Sequence, residues 1–201
     1  MPRKPALDAL TLFDALVYTC QYRLVIDPTS PILARVMEWK QALRERIGDY
    51  EGLFRTPGIT LLETELPPDY ERHLCDAIDL GSTGQPTFRA LFNGFAHSED
   101  RRTIHISVLG EESIAPLRQR IVDHVRANKR IKKLGVQMPE RSALVLATGL
   151  KAAQFEAAWG LLAPHPFTGE VRVHDVVLMK RELDPSSLDE HVRTFALRAG
   201  R

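Results

Sequence analysis

Cysteine is scarce in this sequence, which has two cysteines, Cys20 and Cys75, among 201 residues. Neither belongs to a Cys-x-x-Cys pair or to a Cys/His cluster with the spacing of zinc ligands. Histidine pairs at i, i+4 and His/carboxylate clusters are also missing, so we expect no metal and no cofactor. Two cysteines cannot build a disulfide framework, and reduced thiols in an intracellular compartment are expected.

Long apolar runs and a targeting signal are absent as well. No stretch approaches the roughly 20 uninterrupted apolar residues of a membrane span. The N-terminus is basic at Arg3 and Lys4, but the apolar stretch that follows contains Asp8 and Asp14 and lacks a small-residue cleavage signal. We therefore expect a cytoplasmic protein with no membrane partner.

Charge of one sign is not in excess. Lys and Arg number 27 and Asp and Glu number 26, so the formal net charge is +1. This balance provides no global attraction for nucleic acid, and any RNA or other polyanion must be bound by a local site. The chain is 44% hydrophobic and 26% charged, which is typical of a globular protein and excludes a disordered or collagenous one.

Hydrophobic periodicity predicts six strands and four helices. The predicted strands cover 22–27, 59–66, 87–92, 103–109, 143–147 and 169–180, and the predicted helices cover 31–47, 69–80, 114–127 and 151–161. Their order suggests a duplication, which predicts an α+β protein with two lobes of antiparallel sheet around a central cleft. We assign 21–183 to a single bilobal domain, 1–20 to an N-terminal extension and 184–201 to a polar C-terminal tail.

Two short segments resemble those of a known family. They are Arg-Thr-Pro-Gly-Ile-Thr-Leu at 55–61 and Ala-Leu-Val-Leu-Ala-Thr at 143–148, the second followed by the helical segment Phe-Glu-Ala-Ala-Trp at 155–159. Together with the element order, they resemble the 2H phosphoesterase superfamily, which contains 2′-5′ RNA ligase-like proteins and cyclic phosphodiesterases. The resemblance covers about residues 22–183.

The resemblance implies a two-histidine active site. In that family each lobe contributes a His-x-Thr/Ser motif on an inner strand, and the motifs face each other across the cleft. One imidazole takes a proton from the nucleophile, the other gives a proton to the leaving oxygen, and the hydroxyls hold the phosphate.

Both histidines of this pattern are missing here. Gly58 and Ala143 stand at the two histidine positions, and Val145 replaces the second hydroxyl, so only Thr60 remains of the four signature side chains. Glycine and alanine carry no proton, and valine offers no hydrogen-bond donor. We therefore expect a catalytically inactive protein that binds a nucleotide or other small ligand between its lobes.

Four residues are candidates for contacting such a ligand: Thr60, Arg55, Lys129 and Arg130. The two cations at 129 and 130 follow the predicted helix 114–127, where they also suit a solvated helix end with a negative dipole. We favour this second interpretation of the basic residues.

Two other functions stay open. His105-Ile106-Ser107 is a His-x-Ser motif by itself, and an active cyclic or 2′-5′ phosphodiesterase could use His105 and Ser107 instead of the missing residues. We favour a histidine on a strand face, because the resemblance places a structural strand there. The remaining alternative is a structural or protein-interaction role.

Overall fold

A computed structural model of the protein describes residues 18–131, 135–184 and 186–199. The predicted N-terminal extension, 1–20, lies outside the described residues except for its last three. Within the described residues, no helix is long and apolar enough to cross a membrane.

Strands and four α-helices alternate along the described chain. The α-helices are α1 (Ser30–Ile47), α2 (Glu71–Ser82), α3 (Glu111–Ala127) and α4 (Ala152–Leu162), and a short 3-10 helix (Pro68–Tyr70) precedes α2. The strands are β1 (Cys20–Ile26), β2 (Ile59–Leu66), β3 (Thr83–Gly84), β4 (Phe88–His97), β5 (Ile104–Leu109), β6 (Val136–Gln137), β7 (Ala143–Ala147), β8 (Thr168–Val173), β9 (Asp175–Glu182), β10 (Glu190–Ala196) and β11 (Arg198–Ala199).

One curled antiparallel sheet organises the molecule, in the order β10-β9-β1-β2-β7-β5-β4-β8. The short β6 pairs with β2, while β3 and β11 form a separate parallel pair. The strands β2 and β7 meet at the centre of the sheet, where Ile59 lies opposite Leu144. This centre divides the sheet into two lobes of four strands each, which confirms the bilobal α+β architecture predicted from the sequence.

The element order supports the predicted duplication. The series β1-α1-β2-α2 and β5-α3-β7-α4 are equivalent, because β1 lies beside β2 on one side of the centre and β5 lies beside β7 on the other. The first helix of each series packs with the last helix of the other, so α1 contacts α4 and α3 contacts α2. These helix contacts between the two series join the two halves of the chain into one core.

That core lies between the helices and one face of the sheet. Gly81 of α2 allows a close helix contact, because a Cβ at this position would lie 2.6 Å from the Cα of Ile121 in α3. Residues of all four helices and of both lobes belong to one continuous buried cluster. The opposite, concave face of the sheet carries no helix in the described chain, and this face forms the inter-lobe cleft.

Two predicted segments differ from the structure. The segment 169–180, predicted as one strand, is two strands in different lobes: β8 pairs with β4, and β9 pairs with β1. The chain changes lobe at His174, whose carbonyl accepts a hydrogen bond from the backbone N–H of Leu197. No glycine or proline marks this break, and valines lie on both sides of it at 171, 173, 176 and 177, so the strand pattern continues across it.

The predicted polar tail, 184–201, contains the edge strand β10, which pairs with β9. Phe195 is the one residue of β10 that is fully buried. An edge strand with a single buried side chain lacks the alternating apolar pattern that identifies a strand in a sequence.

Candidate functional site in the inter-lobe cleft

The two motif segments meet at the centre of the sheet. Ile59 and Leu144 are fully buried in the core, opposite each other. Because side chains alternate along a strand, their neighbours Thr60, Ala143 and Val145 point to the concave face. Thr60 is half-buried and Val145 is 42% exposed. The structure therefore brings three of the four signature positions, Thr60, Ala143 and Val145, to one surface, whereas Gly58 is buried.

At the first histidine position there is no room for a side chain. A Cβ built on Gly58 would lie 2.9 Å from the Cβ of Val25 and 3.3 Å from the carbonyl oxygen of Ile26. Val25 is fully buried, and it packs with Val177 and Met179 in a small apolar cluster of its own. The wall of β1 thus fills the space next to residue 58.

At the second motif, β5 supplies polar side chains beside Ala143 and Val145. His105 lies directly opposite Val145, and Ser107 lies directly opposite Ala143. Directly opposed residues of an antiparallel pair share one face, so His105 and Ser107 lie on the cleft surface. This placement could have been predicted from the sequence, because His105 and Ser107 alternate with the apolar residues Ile104, Ile106 and Val108.

The environment of His105 favours its neutral form. Burial lowers the pKa of His105, and the nearby His97 lowers it further. A neutral imidazole can accept a proton or a hydrogen bond at one ring nitrogen while it donates at the other.

The cationic candidates do not converge on Thr60. Arg55 is held on the concave side of one lobe, where its Nη1 lies 3.0 Å from Glu63 Oε1 and its Nη2 donates to Gln21 Oε1 at 2.6 Å. Lys129 and Arg130 are exposed just beyond the end of α3. The preceding Asn128 donates from Nδ2 to the carbonyl of His73 in α2, so these two cations lie on the helical layer.

Sequence reasoning missed a buried polar network beneath the segment that leads into the first motif. The Arg23 guanidinium lies 2.7 Å from the carboxylate of Asp189, and the two side chains are 9% and 2% exposed. The same carboxylate oxygen accepts the backbone N–H of Thr56 at 2.7 Å, and Arg23 donates to the Thr56 carbonyl at 2.6 Å. One ion pair therefore joins β1, the approach to Gly58 and the segment before β10.

A second buried cation, Lys40, holds the same segment. Lys40 of α1 donates from Nζ to the carbonyls of Gly52, at 2.7 Å, and Arg55, at 2.6 Å. Burial, together with the positive charge of Arg23, lowers the pKa of Lys40 to about 8. Two features of the sequence indicated this network. Arg23 is a charged residue in the middle of an apolar strand, and Lys40 is a charged residue on the inner face of a helix.

A cavity of ≈ 650 Å³ opens on the concave side of the lobe that contains β1, β2 and β9. It lies between the segments 49–55 and 181–183, and Gln21, Glu65 and Ser186 form part of its wall. None of the motif positions lines it. Within the described parts of the chain, no three His, Cys, Asp or Glu side chains are grouped so that they could hold a metal ion.

Comparison with known families decides the family of this chain. Residues 28–185, which include both motif segments, match the 2′-5′ RNA ligase superfamily. The chain belongs to this superfamily. The match confirms the resemblance that was found in the sequence. The matched residues include the strands β2 and β9, which both pair with β1.

Several solved structures have a similar fold over most of the chain. The crystal structure of E. coli LigT complexed with 3′-AMP has a TM-score of 0.67 and 14% identity, covering 89% of this chain and 98% of that chain. The crystal structure of TT0787 of Thermus thermophilus has a TM-score of 0.64 and 16% identity, covering 90% of this chain and 100% of that chain. At these identities the similarity shows the fold alone. A sequence comparison with curated proteins finds no significant match.

Proposed function

We propose that this member of the superfamily is catalytically inactive and binds a nucleotide or another small ligand in the inter-lobe cleft, as a cytoplasmic protein. One observation carries the proposal: the position of the first histidine is a glycine whose Cβ would lie 2.9 Å from Val25 Cβ. The second histidine position is Ala143, so neither partner of an acid–base pair is present. A positioned acid or base contributes about 10²- to 10⁴-fold to the rate, and this chain lacks both groups at the family site.

Hydroxyl groups on the concave face support ligand binding there. Thr60 and Ser107 are both half-buried on this face, near the junction of β2 and β7, and each can donate a hydrogen bond to a phosphate or sugar oxygen. E. coli LigT has been crystallised with 3′-AMP, with NADP⁺ and with ATP, which makes nucleotides the first ligands to test.

The proposal is tested by measuring turnover and binding on the same preparation. We expect no hydrolysis of 2′,3′-cyclic nucleotides or of 2′-5′-linked dinucleotides, together with calorimetric binding of at least one nucleotide. Thr60→Val should weaken this binding by about five- to tenfold, the value of one lost hydrogen bond. Thr87→Val, at an exposed threonine before β4, is the matched control and should bind as the wild type does. Turnover by the wild-type protein, or the absence of binding across the panel, would contradict the proposal.

A second candidate function follows from the register between β5 and β7. His105 and Ser107 lie opposite Val145 and Ala143, so a histidine and a hydroxyl stand one strand away from the degenerate motif. An active cyclic or 2′-5′ phosphodiesterase would then use His105 as its base. This alternative predicts turnover that is lost in His105→Ala and kept in His124→Ala, a substitution on α3.

A further inference from the structure

The two edge strands of the large sheet differ in how well they are protected against pairing with another strand. The edge strand β10 contains a β-bulge between His191 and Arg193, and such an irregularity hinders further pairing. The edge strand β8 pairs with β4 without a register shift, and its sequence contains no proline and no lysine. No strand of the described chain pairs with the outer side of β8. This regular edge is therefore a template for one more strand.

The backbone groups of Glu170 and Arg172 point away from β4. The backbone N–H of Gly94 in β4 donates to the carbonyl of Phe167 at 2.7 Å, which identifies one hydrogen-bonded residue pair at the start of the β4/β8 ladder. Hydrogen-bonded pairs recur at every second residue of an antiparallel ladder, so Val171 also bonds to β4. The residues on either side of Val171 direct their N–H and C=O groups to the outer edge.

A contact on the other side of β4 supports this assignment. A Cβ built on Gly110, which follows β5, would lie 3.2 Å from the carbonyl oxygen of Arg89. The backbone groups of Arg89 therefore face β5, and those of the next residue, Ala90, face β8. Ala90 lies directly opposite Val171, which is the pairing that the alternation requires.

The side chains of Glu170 and Arg172 carry opposite charges on one exposed face of β8. Arg172 lies directly opposite Arg89 of β4, and two like charges in this position repel each other. Glu170 lies 3.3 Å from Arg89, so its carboxylate offsets the charge of that residue. Within the part of the chain that the structure describes, Arg172 forms no ion pair. A carboxylate on an added strand, placed opposite Arg172, would balance this charge.

We propose that the outer edge of β8 pairs with β8 of a second copy of this chain, antiparallel and with the two-fold axis at Val171. In this register Glu170 of each copy lies opposite the partner's Arg172, and the backbone groups that pair are the ones that point outward. Moving the axis by one residue would place Glu170 opposite the partner's Glu170, or Arg172 opposite the partner's Arg172, and like charges would repel. The edge is thus complementary to itself in one register, as a symmetric dimer requires.

The pairing is confined to the middle of β8. The carbonyl of Thr168 already accepts a hydrogen bond from Arg35 Nη1 at 2.8 Å, and the carbonyl of His174 accepts the backbone N–H of Leu197 at 2.7 Å. Two hydrogen-bonded residue pairs, about four backbone hydrogen bonds, therefore join the copies. So short an interface buries less area than a standard one, and we expect a weak dimer with a dissociation constant of about 10 to 500 μM.

Sedimentation equilibrium of the full chain measures the association, and exchanged charges test the register. We expect the average mass to rise toward that of a dimer as the protein concentration increases. Glu170→Arg and Arg172→Glu should each weaken the dimer by at least about tenfold, because either change places like charges opposite each other in both symmetric pairs. The double variant Glu170→Arg/Arg172→Glu restores opposite charges and should return to within about threefold of the wild type. Glu190→Arg, at an exposed glutamate on the other edge strand, is the matched control and should leave the dimer unchanged.

Amide hydrogen exchange tests the backbone pairing directly. The amides of Glu170 and Arg172 should exchange more slowly at high protein concentration, whereas the amide of Val171, which bonds to β4, should change little.

Three results would overturn the proposal. The first is a wild-type chain that stays monomeric up to about 1 mM, which would leave the edge to a strand of a different protein. The second is a dimer that neither single charge variant weakens or that the double variant fails to restore. The third is a dimer in which the amides of Glu170 and Arg172 are not protected. None of these results bears on the proposed ligand site, because β4 separates β8 from β5, which carries Ser107.

Discussion

The buried side chain of Val25 occupies the space into which any side chain at Gly58 would extend, since a Cβ on Gly58 would lie 2.9 Å from Val25 Cβ. Residue 58 is the position of the first histidine in the resemblance that led to this fold. The absence of a side chain at residue 58 and the close approach of Val25 to it both support the proposal that the protein is catalytically inactive.

Gly58→Ala should therefore destabilise the protein. One added methyl group forces a shift of β1 or β2, and we expect the free energy of unfolding to fall by about 1 to 3 kcal/mol. Chemical denaturation measures this change. Gly160→Ala is the control, because a Cβ at this exposed helical position meets nothing within 4 Å. The helical alanine should be neutral or stabilising, and equal effects of the two substitutions would contradict the steric explanation.

Asp189→Asn should be among the most destabilising single substitutions in the chain. It leaves the Arg23 guanidinium buried without its carboxylate, and breaking such a buried pair costs about 3 to 5 kcal/mol. Glu156→Gln removes one partner of the exposed pair with Arg101 and should change stability by less than about 1 kcal/mol. Urea titrations give the free energy of unfolding of each variant. Equal losses in the two variants would contradict the role assigned to burial.

Lys40 makes stability depend on pH in the alkaline range. Its pKa is lowered to about 8 in the folded protein from 10.5. Above pH 8 the unfolded chain therefore binds more protons at this residue than the folded chain, so stability rises with pH. From about pH 8 to about pH 9.5 we expect a gain of about 1 to 2 kcal/mol from this group.

Lys40→Met should remove that slope. The measurement is the difference between wild-type and variant unfolding free energies at several pH values, which cancels the titration of all other groups. Equal pH profiles would show that Lys40 keeps an ordinary pKa in spite of its burial.

Phe195→Ala tests whether the last strand is part of the core. Phe195 is 2% exposed although it lies on an edge strand, and truncation of a buried phenylalanine costs about 3 to 5 kcal/mol. The control is Thr194→Ala at the neighbouring exposed position. A loss no larger than that of the control would indicate that 184–201 behaves as the polar tail that its composition predicts.

Local pattern was sufficient for much of the fold. The run 59–66 was predicted with the same bounds as β2, because it begins with a continuous apolar stretch and ends at Pro67. The helix α1 was predicted within one residue at its start and with the same last residue, since Gly48 stops it. By contrast, the division of 169–180 between two lobes depends on which strand each half pairs with, and pairing partners are not encoded in local periodicity.

The same distinction holds for the site. The sequence by itself determined that no imidazole is present at residues 58 and 143, because that is a matter of residue identity. Only the tertiary structure decided that Val25 closes the first position, that His105 stands opposite Val145, and that Arg23, Lys40 and Asp189 hold the segment before Gly58. Each of these relationships joins residues far apart in the chain, and such contacts are created by strand register and packing, which a linear pattern does not specify.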